Sequence, residues 1–115
     1  MAKYARVAAR FFAVVCVLVG PASLAGEART IEIGDFAFSP SEIRVEAGAR
    51  VVFVNHDDTP HNVVDRNSAF RSEALDTGES FSIVFDRPGE ISYFCGLHPQ
   101  MTGKIIVTPR SPRQG

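Results

Sequence analysis

The chain holds 115 residues with 12 basic and 13 acidic side chains, three histidines, two cysteines and no tryptophan, for a formal net charge of −1. That length suits one domain, the charge balance argues against a nucleic-acid partner, and two cysteines are too few for a disulfide-built scaffold.

At the N-terminus, Lys3, Arg6 and Arg10 precede an unbroken apolar run from Phe11 to Val19, the pattern of a secretory signal. Gly20 and Pro21 break the run, and the small residues of SLA at 23–25 place cleavage after Ala25, with Ala28 as the next-best site. The run falls well short of the ~20 residues that a membrane-spanning helix needs. Residues 1–25 are therefore expected to be removed. The mature chain is expected to be exported, periplasmic if the source is bacterial, and free of the membrane. It keeps nine basic against 13 acidic residues, and Cys95 is its single thiol. A lone cysteine in an oxidising compartment is buried and inert, bonded to another chain, or bound to a metal.

Beyond the leader, apolar and polar residues alternate with period two in short runs, as half-buried strands do. The runs fall at 30–36, 42–46, 50–55, 61–65, 79–85, 90–95 and 104–108. SPS at 39–41, AGA at 47–49, DTG at 76–78 and DRPG at 86–89 supply turn chemistry between them. Residues 66–75 alternate weakly and read as a loop or one helical turn, and the tail 109–115 reads as flexible. Seven or eight strands in this length predict an all-β Greek-key sandwich over residues 26–108. Its core is expected to hold Ile31, Ile33, Phe36, Phe38, Ile43, Val45, Val52, Val54, Val63, Phe81, Ile83, Phe85, Ile91, Tyr93, Ile105 and Val107.

The stretch YFCGLHPQM at 93–101 carries a thiol, an imidazole and a thioether at three-residue intervals: Cys95, His98 and Met101. A helix would put them on one face, but Gly96 weakens helix there and Pro99 pushes His98 out of helical geometry. A tight loop leaving a strand is expected instead, with all three side chains turned toward one point. His61, from the end of another strand, supplies a fourth donor. A thiolate, two imidazoles and a weak thioether suit copper in both oxidation states, whereas zinc more usually takes four strong ligands. Each donor alone has a plainer reading: an inert buried cysteine, a surface histidine, a core-filling methionine. Their coincidence in one exported β-domain favours copper. Asp57 and Asp58 read first as a solvated turn and second as charges steering a cationic partner. His56 reads as a loop residue, and Arg66 and Arg71 as surface charges.

From about Ile31 to Val107 the chain resembles the cupredoxins, the type 1 blue-copper family. The resemblance rests on PHNV at 60–63, CGLHPQM at 95–101, TGKIIV at 102–107, and FSP with IRVEAG at 38–48. Within the family the chain is most similar to the amicyanin, pseudoazurin and plastocyanin types, and its short Cys-x2-His-x2-Met loop to amicyanin. The resemblance implies that His61, Cys95 and His98 are equatorial ligands and Met101 the axial one. It implies that Asn62, beside the first histidine, ties the two ligand loops together and supports the cysteine sulfur.

By the same resemblance the protein is a one-electron carrier rather than an enzyme, holding one copper ion that cycles between Cu(II) and Cu(I). Its partners would be redox proteins met transiently by a monomer. The electron would pass through the exposed edge of His98, inside an apolar patch of Pro60, Leu97 and Pro99 with Met101. A copper-binding module for storage, delivery or sensing would use the same ligands, but such proteins usually offer many thiols or methionine runs. A copper enzyme would need a second centre, and only His56 remains to ligate it.

Overall fold

The computed structural model describes residues 28–112, so the expected leader lies outside the described residues. Eight strands follow one another, with no helix among the described residues: β1 (Ala28–Gly34), β2 (Ala37–Ser39), β3 (Glu42–Glu46), β4 (Ala49–Asn55), β5 (Val64–Asp65), β6 (Ser80–Phe85), β7 (Gly89–Cys95) and β8 (His98–Thr108). They form two four-stranded sheets, in the orders β2-β1-β4-β6 and β3-β8-β7-β5. This is the all-β sandwich that the alternation predicts. Both sheets are mixed, because β1 runs parallel to β4 and β3 parallel to β8, while the other neighbours are antiparallel.

Strand β3 shows how the pattern works: Ile43 and Val45 face the core while Glu42, Arg44 and Glu46 face out, since successive side chains point to opposite faces. At the centre of the sandwich Phe38 of β2 and Phe53 of β4 meet Tyr93 of the opposite sheet edge-on, with ring centroids 4.8 and 5.3 Å apart. Such T-shaped pairs add ~0.5–1.5 kcal/mol beyond the area they bury. Tyr93 lies across Gly103, its ladder partner on β8, and a Cβ at 103 would collide with the ring and hydroxyl. Glycine there is what admits the tyrosine.

Three expected core residues face elsewhere. On β4 the inward residues are Val51 and Phe53, not Val52 and Val54. The run VVFV is apolar on both faces, so only its pairing with β1 and β6 selects the register. Phe36 is 52% exposed, because the strand expected over 30–36 ends at Gly34. Asp35 and Phe36 take left-handed backbone angles, φ 54° and 58°, as the two-residue turn from β1 into β2. Phe81, Ile83 and Ile91 are partly buried against the core.

Two boundaries also differ. The strand expected over 61–65 is reduced to β5, and isolated bridges His61 to Leu75 and Val64 to Arg71 fold residues 66–75 back over it as a loop. The last strand begins at His98 rather than 104. At one end of the sandwich the β1–β2 turn, the β4–β5 connection and the β7–β8 hairpin meet, as the ring contacts of Phe36 with His61 and His98 record.

Candidate metal centre

Cys95 ends β7 and His98 opens β8, with only Gly96 and Leu97 between them, and the two pair across the hairpin. The next pair is Phe94 with Thr102, so Pro99, Gln100 and Met101 leave the ladder as a bulge. Bulges bend a strand and re-aim its side chains, and Pro99 could not have donated a ladder hydrogen bond. Met101 is turned into the buried cluster that also holds Cys95, while His98 stays half-buried at the surface. The expected loop is thus a hairpin followed by a bulge, which brings Cys95 and His98 together and buries Met101 in the same cluster as Cys95.

His61 arrives from the β4–β5 connection. Its backbone N–H donates to Leu75 O at 3.2 Å and its carbonyl accepts the Leu75 N–H at 2.7 Å, and its side chain is fully buried. Cys95 Sγ lies 3.7 Å from His61 Nδ1 and 3.7 Å from His98 Nδ1, with all three donor atoms within 4.8 Å of one another. A nitrogen ~2.0 Å and a sulfur ~2.3 Å from a shared ion, at the ~120° of a trigonal plane, would be ~3.7 Å apart, against ~3.5 Å at a tetrahedral angle. The donor set, one thiol and two imidazoles with their donor atoms this close, therefore fits a metal ion shared among the three.

Asn62 joins the two ligand segments. Its side-chain oxygen accepts the Gly96 N–H at 2.6 Å, and its own backbone N–H points at Cys95 Sγ at 3.4 Å. A donor aimed at the sulfur favours the thiolate and tunes a metal bound to it.

Asp57 is not a solvated turn residue. Its side chain is 13% exposed, and its Oδ2 lies 2.9 Å from His61 Nε2 and accepts the Phe36 N–H at 3.1 Å. The hydrogen bond from the His61 ring first, then that from Phe36, hold its carboxyl below the ordinary carboxylate value. An ionised carboxylate can only accept, so Nε2 is the ring nitrogen that donates to Asp57 and Nδ1 is the one that faces the sulfur. Asn55, fully buried, builds the loop that presents Asp57: its amide donates to Thr59 O at 3.0 Å and Leu75 O at 2.8 Å, and its oxygen accepts the Asp57 N–H at 2.9 Å. Sequence reasoning missed this pair, although an asparagine two residues before an aspartate is a recognisable turn signal.

Pro60, Leu97 and Pro99 are exposed around the half-buried His98. His56 points away and pairs with Glu32 at 2.9 Å, Arg71 is exposed, and Arg66 stacks over the Phe94 ring at 4.7 Å.

A family profile described as "Cupredoxin-like domain" matches residues 8–107. The chain belongs to the cupredoxins. This cupredoxin is 33% identical over 94 residues to an amicyanin from Paracoccus versutus, covering 77% of this chain and 71% of that one. It is 31% identical over 116 residues to a chloroplastic plastocyanin B from Populus nigra, covering 83% and 69%. Its fold matches the solved structure of a purple cupredoxin from Nitrosopumilus maritimus with a TM-score of 0.67 at 29% identity, over 70% of this chain and 99% of that one.

Proposed function

We propose that this cupredoxin is an exported, mononuclear type 1 copper protein that carries single electrons between transient redox partners. The observation that carries the reading is the convergence of Cys95 Sγ with the Nδ1 atoms of His61 and His98, 3.7 Å from each. Bound copper supplies the Cu(II)/Cu(I) couple. Cys95, His61 and His98 would hold it as the three strong ligands, and Met101, buried in the same cluster as Cys95, would be the weak fourth donor.

The protein's contribution is to hold these donors still. Asn62 fastens the hairpin to the His61 segment, and Asp57 fixes the His61 ring in its tautomer. Donors that cannot relax toward the preference of either oxidation state keep reorganisation small, which is what fast electron transfer needs. No substrate bond is made or broken, and the relatives named amicyanin and plastocyanin support a carrier over an enzyme. His98, half-buried among exposed Pro60, Leu97 and Pro99, is the port for the electron. So small an apolar face suits weak, short-lived encounters, with the protein acting as a monomer.

The test is to add one equivalent of Cu(II) to the purified protein and record visible and EPR spectra. An intense thiolate-to-copper band with narrow parallel hyperfine splitting is expected, and Cys95→Ala removes both. A colourless product with ordinary copper EPR, or immediate reduction to stable Cu(I), would replace the carrier by a copper storage, delivery or sensing module.

A further inference from the structure

Phe36 differs from the other exposed apolar side chains. A bulky residue at φ 58° is disfavoured, and the second place of a two-residue hairpin turn usually falls to glycine. Half of its surface is in water, so burial alone does not account for its keeping this conformation. Strain of this kind persists where the surroundings over-determine it, and it clusters at functional sites. The surroundings here are the candidate ligands. Its N–H donates to the same Asp57 oxygen that meets His61 Nε2. Its ring stands edge-on to His98 at 4.9 Å and 85°, and to His61 at 5.3 Å and 90°, with the two imidazoles 4.9 Å from each other.

We propose that Phe36 is a positioning residue of the copper site: its ring braces His98 against His61 and shields both imidazoles from water, and Asp57 holds it there by clamping the β1–β2 turn to His61. The inference rests on the copper reading above. His98 is the ligand that needs a brace. His61 is buried, bonded twice through its backbone to Leu75 and fixed at Nε2 by Asp57. His98 sits at the mouth of the site between the exposed Leu97 and Pro99. Among the described residues no carboxylate or carbonyl holds its second ring nitrogen, and packing against Phe36 takes that place. The oxidised site carries one more positive charge than the reduced site. Water admitted to it therefore favours the oxidised form, and the surrounding apolar shell sets the potential by excluding water.

The experiment compares the parent chain with Phe36→Gly, Phe36→Leu and Phe36→Tyr. In the metal-free parent, proton NMR should show nuclear Overhauser contacts between the Phe36 and His98 rings. In the Gly and Leu variants the His98 ring resonances should move while those of His56 stay in place. After copper loading, Phe36→Gly should shift the reduction potential downward and alter the hyperfine splitting, Phe36→Leu should shift it less, and Phe36→Tyr should restore the parental values. Leu keeps the apolar bulk, so the inference stands or falls on it should the Gly variant fail to fold. Parental His98 resonances and potential in the Gly and Leu variants would overturn the inference, as would lost stability with both unchanged, the result for a merely structural turn. If the parent forms no coloured copper site, the copper reading fails, and the metal-free variants still decide whether Phe36 braces His98: the nuclear Overhauser contacts between the His98 and His61 rings should weaken in them, and parental contacts would overturn the brace.

Discussion

Met101 lies in the bulge of β8 and is buried in the same cluster as Cys95, and its thioether is the weak, soft donor of the proposed ligand set. Exchanging it for an oxygen donor favours Cu(II), so Met101→Gln should keep the coloured site and lower its reduction potential. Voltammetry of the two proteins decides this, and a raised potential would remove Met101 from the axial position. Tyr93 is a second residue whose setting makes a measurable claim. Burial pushes its phenol well above the ordinary tyrosine value, so the folded state resists ionisation that the unfolded chain accepts. A raised folded value means that the stability is intact below the unfolded value near 10 and is lost as pH climbs above it. The loss is about 1.4 kcal/mol per pH unit until the folded phenol itself ionises. Tyr93 is the only tyrosine beyond residue 25. Phenolate absorbance should therefore appear together with unfolding in an alkaline titration, not before it.

Among the elements, the β7–β8 hairpin and the His61 segment are coupled through Asn62, whose oxygen holds the Gly96 N–H. Asn62→Ala should cost about 1 kcal/mol or more of metal-free stability by leaving that donor unpaired. Urea unfolding of the metal-free variant measures the cost, and an unchanged midpoint would mean that the two segments are held elsewhere. Element boundaries were legible where one face is polar, as on β3, whose observed limits are those expected from the alternation. They were not legible on β4, where valines point both ways, nor at Phe36, whose alternation continues that of β1 although the chain has already turned. β8 shows the same limit: Pro99 and Gln100 read as loop residues, yet the Cys95–His98 pair draws them into the hairpin.

On the scale of the whole molecule, the buried apolar cluster runs through both sheets and includes only Cys95 and Met101 of the proposed ligand set. The sandwich should therefore fold without metal. Chelation is expected to leave the β-strand circular dichroism signal intact while lowering the melting temperature. A free copper concentration 100 times the dissociation constant stabilises by about 2.7 kcal/mol, worth roughly 10 °C or more in a domain of this size. Collapse of the strand signal on chelation would instead make the metal part of the fold. The amino-acid sequence by itself determined the all-β class, because period-two burial is written locally. It also pointed to Cys95, His98 and Met101 as candidate donors, because seven residues of one hairpin cannot carry them far apart. His61 was named from the chemistry that those three left incomplete. Only the tertiary structure decided the register of β4, the clamp of Asp57 on His61 and the place of Phe36 against both imidazoles. Each of these depends on which turn meets which at the end of the sandwich, and that is settled by pairing between strands distant in the chain, which no local pattern of apolar and polar residues encodes.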